Sequence, residues 1–163
     1  MLTLILPGYS PANRQWALKV KENLKLPGEV IVHEWQHWRD GKSFNLKYEV
    51  DQILAIIGKQ QVNFIAKSVG TRVLMALLPK INKQVQKVIL CGIPIDPLRY
   101  VKGIKLIGRD HLLVVQNSQD PLMPYKLIET YIHLIDKKIK AVEKEAKNHD
   151  YPYFDDFQRF LTI

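Results

Sequence analysis

Phe64-Ile65-Ala66-Lys67-Ser68-Val69-Gly70-Thr71 is the stretch in which an apolar strand pattern stops at a serine and an apolar helix begins. A serine at such a strand-to-helix turn adopts a strained backbone so that its hydroxyl stands clear at the top of a sheet, and the residues two places on either side must be small. Ala66 and Gly70 meet that requirement. The stretch therefore reads as a nucleophile elbow. A small-x-Ser-x-Gly string is common on its own, and a serine before a helix also serves as an ordinary cap, so the reading depends on what the rest of the chain supplies.

Working outward, short β-branched runs alternate with helical patterns, the signature of a parallel sheet with helices on both faces. Strands are expected at about 2–6, 29–33, 62–67, 87–91, 111–116 and 139–144, the last least apolar and so an edge. A helix over 11–24 has Ser10 as its cap, Pro11 in first position and Trp16, Val20 and Leu24 on one face. A second spans 44–57, with Gly58 as its stop. The helix opened by Ser68 has only Thr71 and Arg72 as polar residues before Leu78 and is expected to be buried nearly all round. Further helices are expected at 125–135 and 152–161. No repeat, low-complexity tract or Gly/Ser-rich linker divides the 163 residues. The expectation is one compact α/β domain over 1–163.

In an open parallel sheet the loops at the carboxyl ends of the strands converge on one crevice. The first strand ends in Pro7-Gly8-Tyr9, the third at Ser68, and the fifth in a loop containing Asp120-Pro121-Leu122-Met123-Pro124; Asn148-His149-Asp150-Tyr151 follows the sixth. Serine, aspartate and histidine thus follow one another in chain order, each past a strand. A serine hydroxyl is a poor nucleophile until an imidazole accepts its proton, which His149 would do. Asp120 would orient that ring and stabilise the imidazolium. The backbone N–H groups of Val69 and Tyr9 are the candidate oxyanion donors. Asp120 also reads as a plain turn former and His149 as a loop residue. Asp96, past the fourth strand in Ile93-Pro94-Ile95-Asp96-Pro97, is the alternative acid.

At Leu4-Ile5-Leu6-Pro7-Gly8, the elbow, the Asp120 loop and Asn148-His149 before a terminal amphipathic stretch, the sequence resembles the α/β-hydrolase superfamily. The resemblance is closest to its small lidless serine hydrolases, the group of retinoblastoma-binding protein nine and the bacterial YdeN proteins, and spans essentially the whole chain. It implies a minimal α/β-hydrolase fold: about six parallel strands, helices on both faces, and no cap domain. It also implies a serine hydrolase acting on small ester, thioester or amide substrates through an acyl-enzyme, with no cofactor and no metal. The sequence departs from the family pattern at Ala66, where glycine is usual, and at Lys67, where histidine or another polar residue is common. The sequence leaves the direction of the Lys67 side chain open.

Trp35, His37 and Trp38 form an aromatic loop after the second strand. With Met123, Trp35 and Trp38 are candidates either to line an apolar substrate pocket or to pack against a neighbouring helix. His33, His37, His111 and His133 show no metal-ligand spacing. Cys91, the only cysteine, lies in an apolar run and reads as a buried strand residue. The net charge of +8 raises the question of nucleic acid. The lysines are scattered around strands without interleaved aromatics, however, so they read as a solvated rim able to attract an acidic partner or substrate. No basic leader or long apolar run precedes residue 2, which points to a cytoplasmic protein without a membrane span. The competing functional reading is a protein-interaction module that keeps the hydrolase fold without turnover. Oligomeric state is not legible in the sequence.

Overall fold

A computed structural model describes residues 1–94 and 96–163; Ile95 lies outside the described residues. Six parallel strands form one sheet in the order β2-β1-β3-β4-β5-β6. The strands are β1 (Leu2–Leu6), β2 (Glu29–Val32), β3 (Val62–Lys67), β4 (Val85–Cys91), β5 (Leu112–Asn117) and β6 (Lys140–Lys144). The helices are α1 (Asn13–Asn23), α2 (Gln36–Asp40), α3 (Leu46–Ile57), α4 (Val69–Ile81), α5 (Pro97–Ile107), α6 (Tyr125–Ile135) and α7 (Phe154–Thr162). Among the described residues no segment forms a separate cap over the sheet.

Strand periodicity sorts the side chains into two cores. Leu4 and Leu6, Phe64 and Ala66, and Val88 and Leu90 face the layer of α3, α4, α5 and α6. Ile5, Ile65, Ile89 and Cys91 face α1 and α7, where Trp16, Val20, Phe157 and Leu161 cover them. Because both faces are covered, the central strands read as continuous apolar runs. The edge strand β6, with its Lys-Ala-Val-Glu-Lys sequence, carries no fully buried residue.

The chain begins in β1, passes to β2 on one side and then returns to β3 on the other. This reversal places the topological switch point between β1 and β3, where Leu6 lies opposite Ala66 in the register. The loop after Leu6 and the turn at Ser68 therefore flank one crevice. The two arms of that crevice touch at Gly70: a Cβ built there would stand 2.2 Å from the Leu6 carbonyl oxygen and 2.8 Å from that of Pro7. Only glycine lets the first turn of α4 approach the end of β1 so closely.

The structure corrects several expectations. The first helix begins at Asn13, because Ser10 to Ala12 form a turn in which the Asn13 N–H donates to Ser10 O and the Arg14 N–H to Pro11 O. Ser10 Oγ accepts from the Ala12 N–H ahead of the helix. The second long helix starts at Leu46, and its cap is Asn45, whose side chain accepts from the Tyr48 N–H. The last helix begins at Phe154. Two helices, α2 and α5, were not anticipated. Tyr100, Ile104 and Ile107 are buried at helical spacing and Gly108 follows as a stop, a pattern hidden behind the prolines at 94 and 97.

Gly70→Ala should destabilise the fold by about 1–3 kcal/mol, the usual cost of forcing extra volume into a packed site. Gly41→Ala, where nothing lies within 4 Å, should cost only about the 1–2 kcal/mol of a left-handed backbone. Urea unfolding of both variants at one temperature checks this; a Gly70→Ala variant as stable as the unsubstituted protein would remove the close approach at Gly70 as a constraint.

Candidate active site

Ser68 has φ 52° and ψ −119°, the only positive φ outside glycine among the described residues. Side chains avoid that region unless the surroundings impose it. Here β3 ends by donating the Ser68 N–H to Cys91 O at 3.0 Å, and α4 begins at once, with the Thr71 N–H on Ser68 O at 3.0 Å. The Ser68 side chain makes no capping hydrogen bond to the helix, so the ordinary cap reading does not describe it. Its hydroxyl is half-buried at the switch point.

Asp120 and His149, 29 residues apart, meet: His149 Nδ1 lies 2.6 Å from Asp120 Oδ2. The carboxylate is 1 % exposed, and each oxygen is held twice. Oδ1 accepts the N–H groups of Leu122 at 2.8 Å and Met123 at 3.3 Å; Oδ2 accepts the Tyr151 hydroxyl at 2.5 Å as well as the imidazole. Burial alone would raise the Asp120 pKa, but the hydrogen bonds from His149, Tyr151 and the Leu122 N–H outweigh it and hold the carboxyl below its ordinary value. Burial, followed by the bond to Asp120, pushes the Tyr151 phenol upward, so Tyr151 stays a donor.

The imidazole is fixed from several sides. Its Nε2 is buried and has no hydrogen-bond partner among the described residues. Its edge rests on Gly92, where a built Cβ would lie 2.6 Å from His149 Cε1. Gly92 directly follows Cys91, whose carbonyl takes the Ser68 N–H, so serine and histidine flank the same peptide at the end of β4. Asn117, fully buried at the end of β5, straddles the histidine by donating Nδ2 to Asn148 O at 2.9 Å and Asp150 O at 2.8 Å. Sequence reasoning singled out neither Asn117, Tyr151 nor the seat at Gly92. The available signal was an amide and a glycine at strand ends, which a turn explains equally well.

Asp96 lies elsewhere. It forms the cap position of α5 and pairs with Arg99 Nε at 2.5 Å and Arg72 at 3.8 Å, while the imidazole has Asp120.

Trp35 is fully buried, and it and Trp38 brace the loop after β1: Trp35 Nε1 donates to Gly8 O at 3.0 Å and Trp38 Nε1 to Tyr9 O at 2.7 Å. The cavity next to Val69 has Phe44 as its aromatic wall, and Phe44 packs edge-on to Trp35 at 5.5 Å. Met123, on the Asp120 loop, does line an apolar cavity of about 180 Å³ with Ile93, Tyr100 and Ile128.

Since no cis peptide occurs among the described residues, the Tyr9 N–H points opposite to the Gly8 carbonyl that Trp35 holds. Tyr9 N–H itself donates to no described group, and the Val69 N–H opens α4, where first-turn donors lack intrahelical acceptors.

Lys67 turns toward α1, on the same face of the sheet as Ile65. It is 5 % exposed, with Nζ 2.8 Å from Asn13 Oδ1, 3.9 Å from Asp150 and 5.1 Å from the Trp16 ring centre. Burial lowers its pKa, against the opposing pull of the Asp150 charge. Among the described residues no group of three or more His, Cys, Asp or Glu is placed to hold a metal ion, and His33 Nε2 instead lies 2.7 Å from buried Glu49.

No family model matches the sequence, and no curated protein is similar to it. Solved structures are similar across nearly the whole chain. A lidless α/β serine hydrolase of Xanthomonas campestris, XC6422, is 13 % identical, with 99 % of this chain and 79 % of that one covered and a TM-score of 0.69. An α/β serine hydrolase homologue of Coxiella burnetii is 14 % identical, with 99 % and 83 % covered and a TM-score of 0.74. The esterase EaEST of Exiguobacterium antarcticum is 14 % identical, with 99 % and 90 % covered and a TM-score of 0.70. The chain therefore has the α/β-hydrolase fold in a minimal form. The narrower likeness to retinoblastoma-binding protein nine and the YdeN proteins rests on the sequence motifs alone.

Because the Asp120 carboxyl is held below the unfolded value of about 3.9, its bonds stabilise the protein above that pH and are lost as pH falls through the folded value. Tyr151→Phe removes one donor, so it should cost about 1.5–3 kcal/mol at pH 7 and start the acid loss of stability at higher pH. The gap to the unsubstituted protein should narrow once Asp120 is protonated in both. Urea unfolding at pH 7 and in acid checks the sign; a gap that stays constant with pH would show that Asp120 does not carry the effect.

Proposed function

We propose that the chain is a serine hydrolase that cleaves small ester, thioester or amide substrates through a Ser68-His149-Asp120 triad. The observation that carries this reading is the 2.6 Å contact of Asp120 with His149 Nδ1. It leaves the opposite ring nitrogen buried, without a hydrogen-bond partner among the described residues, and beside the peptide that also anchors Ser68. With Nδ1–H on the carboxylate, Nε2 is the basic nitrogen. Catalytic hydrogen bonds are often loose without substrate and tighten in the complex, so the unbonded Ser68 hydroxyl fits the role.

In the first step Ser68 Oγ forms a bond to the substrate carbonyl carbon while His149 Nε2 takes the hydroxyl proton. The carbonyl electron pair moves onto oxygen, where the N–H groups of Val69 and Tyr9 would receive it. The tetrahedral species collapses, the bond to the leaving group breaks, and His149 returns its proton to the departing alcohol, thiol or amine. Water then attacks the acyl-enzyme by the same route, releasing the acid and restoring the Ser68 hydroxyl. Asp120 stays ionised throughout, in keeping with its depressed pKa. The chemistry requires no cofactor, and a chelator should leave it unchanged. The solved neighbours described as serine hydrolases and an esterase support the same class.

A fluorophosphonate probe should label Ser68, and short p-nitrophenyl esters should turn over. Ser68→Ala and His149→Ala should each lose on the order of 10⁶-fold in kcat if the triad acts as a unit. Intact-mass analysis and a chromogenic assay read both. A folded sample that neither labels nor turns over would leave the interaction-module reading in place of the enzyme.

A further inference from the structure

A cavity of about 190 Å³ opens beside Val69, the residue after Ser68. Its walls are mostly apolar, from Phe44, Leu46, Val69 and Val73, and Arg72 and Arg99 are the charged residues that complete its lining. One of the two candidate oxyanion donors borders it directly, since Val69 is part of its lining. A carbonyl held at Ser68 would therefore extend its chain into this space. Val69, Arg72 and Val73 share one face of α4 at the i, i+3, i+4 spacing, and the rise from Ser68 to Arg72 is about 6 Å.

The charge here is not balanced. Arg72 and Arg99 both lean on one oxygen of Asp96, and among the described residues neither has another carboxylate partner. Two cations against one anion leave a net positive charge at the end of an apolar slot. Arg99 uses Nε toward Asp96, so its terminal nitrogens are available, and Arg72 sits 3.8 Å away in a loose pair. Both side chains are partly exposed, at 41 % for Arg72 and 55 % for Arg99, so a ligand reaches them without unpacking the core. A planar guanidinium recognises a carboxylate through paired N–H donors, which a neutral methyl terminus cannot accept.

We infer that the substrate carries a carboxylate at the far end of a short apolar acyl chain, a half-ester, half-thioester or half-amide of a dicarboxylic acid, received by Arg72 and Arg99. The inference rests on Ser68 being the nucleophile and adds the substrate class. The chain's excess of basic residues works in the same direction by drawing anions toward the surface.

The test compares mono-p-nitrophenyl glutarate with p-nitrophenyl valerate, matched in length and differing in the terminal carboxylate, at low and high salt. The unsubstituted protein should favour the charged ester in kcat/KM by about 10- to 100-fold, the scale of a hydrogen bond to a charged group, with part of the preference lost in high salt. Arg72→Gln and Arg99→Gln should each shrink the ratio of charged to neutral ester toward one, chiefly through KM, while unfolding midpoints confirm folded variants. A labelled, active protein with no preference for the charged ester, or a preference that survives both substitutions, overturns this inference and leaves the hydrolase reading standing. Failure of both esters together with an unlabelled Ser68 overturns the hydrolase reading and this inference with it.

Discussion

The contact on which the site depends is between Gly70 and the carbonyl oxygen of Leu6. At that point α4 is pressed onto the end of β1 so tightly that a single methyl group would overlap backbone oxygen. Because β1 and β3 are neighbours at the switch point, α4 starts directly after β3 against the end of β1, and Ser68, in the turn between β3 and α4, is the residue with the strained backbone. A strained φ/ψ pair persists only where the surroundings over-determine it. Here β3 and the Cys91 carbonyl fix the residue from one side and the buried α4, closing on Ser68 O through Thr71, fixes it from the other. The half-buried serine is held in this turn by the packing around it.

The remaining groups are placed mainly through the backbone. Asn117 grips the carbonyls on both sides of His149, Trp35 grips the Gly8 carbonyl, and His37 and Trp38 both reach Tyr9 O. A held peptide group turns as a plane, so fixing a carbonyl also aims the N–H across from it. In this way a tryptophan buried in the core directs an amide at the crevice without touching anything that would bind there. Glu49 supports the same loop by joining His33 to the N–H of Gln36 at the start of α2.

This division explains which parts were legible in the sequence. Strand and helix periods at 2–6, 62–67 and 69–81 are dictated by burial on known faces, and they could be read directly. The elbow, the Asp120 loop and the position of His149 were legible because each follows a strand, and a parallel sheet sends all such ends to one side. What could not be read was orientation. Trp35 was equally suited to a pocket and to the core, and its indole N–H decides for the core by finding Gly8 O. Asp120 and its alternative Asp96 both follow a strand; in the structure the His149 ring meets Asp120, whose carboxylate is also held by Tyr151, a residue indistinguishable in sequence from any buried tyrosine. Helix α5 was obscured for a different reason: Pro94 precedes it and Pro97 is its first residue, which suggested a loop, although Tyr100, Ile104 and Ile107 carry the helical period.

Lys67 ties several of these supports together from behind the sheet. A buried ammonium loses several kcal/mol of hydration unless it is paired, so a lysine here would be expected to be excluded from the core. Instead it is retained by Asn13, Asp150 and the face of Trp16, and each belongs to a different part of the site's support. Asn13 is the side chain against Gly8, where a built Cβ would lie 2.6 Å from its Oδ1. Asp150 follows His149, and the Trp16 indole donates to Tyr151 O at 2.9 Å. Lys67 itself precedes Ser68. One cation behind the sheet therefore joins the loop of Tyr9, the strand of Ser68 and the loop of His149. It does so on the face of the sheet away from the cavity beside Val69 that Arg72 and Arg99 line.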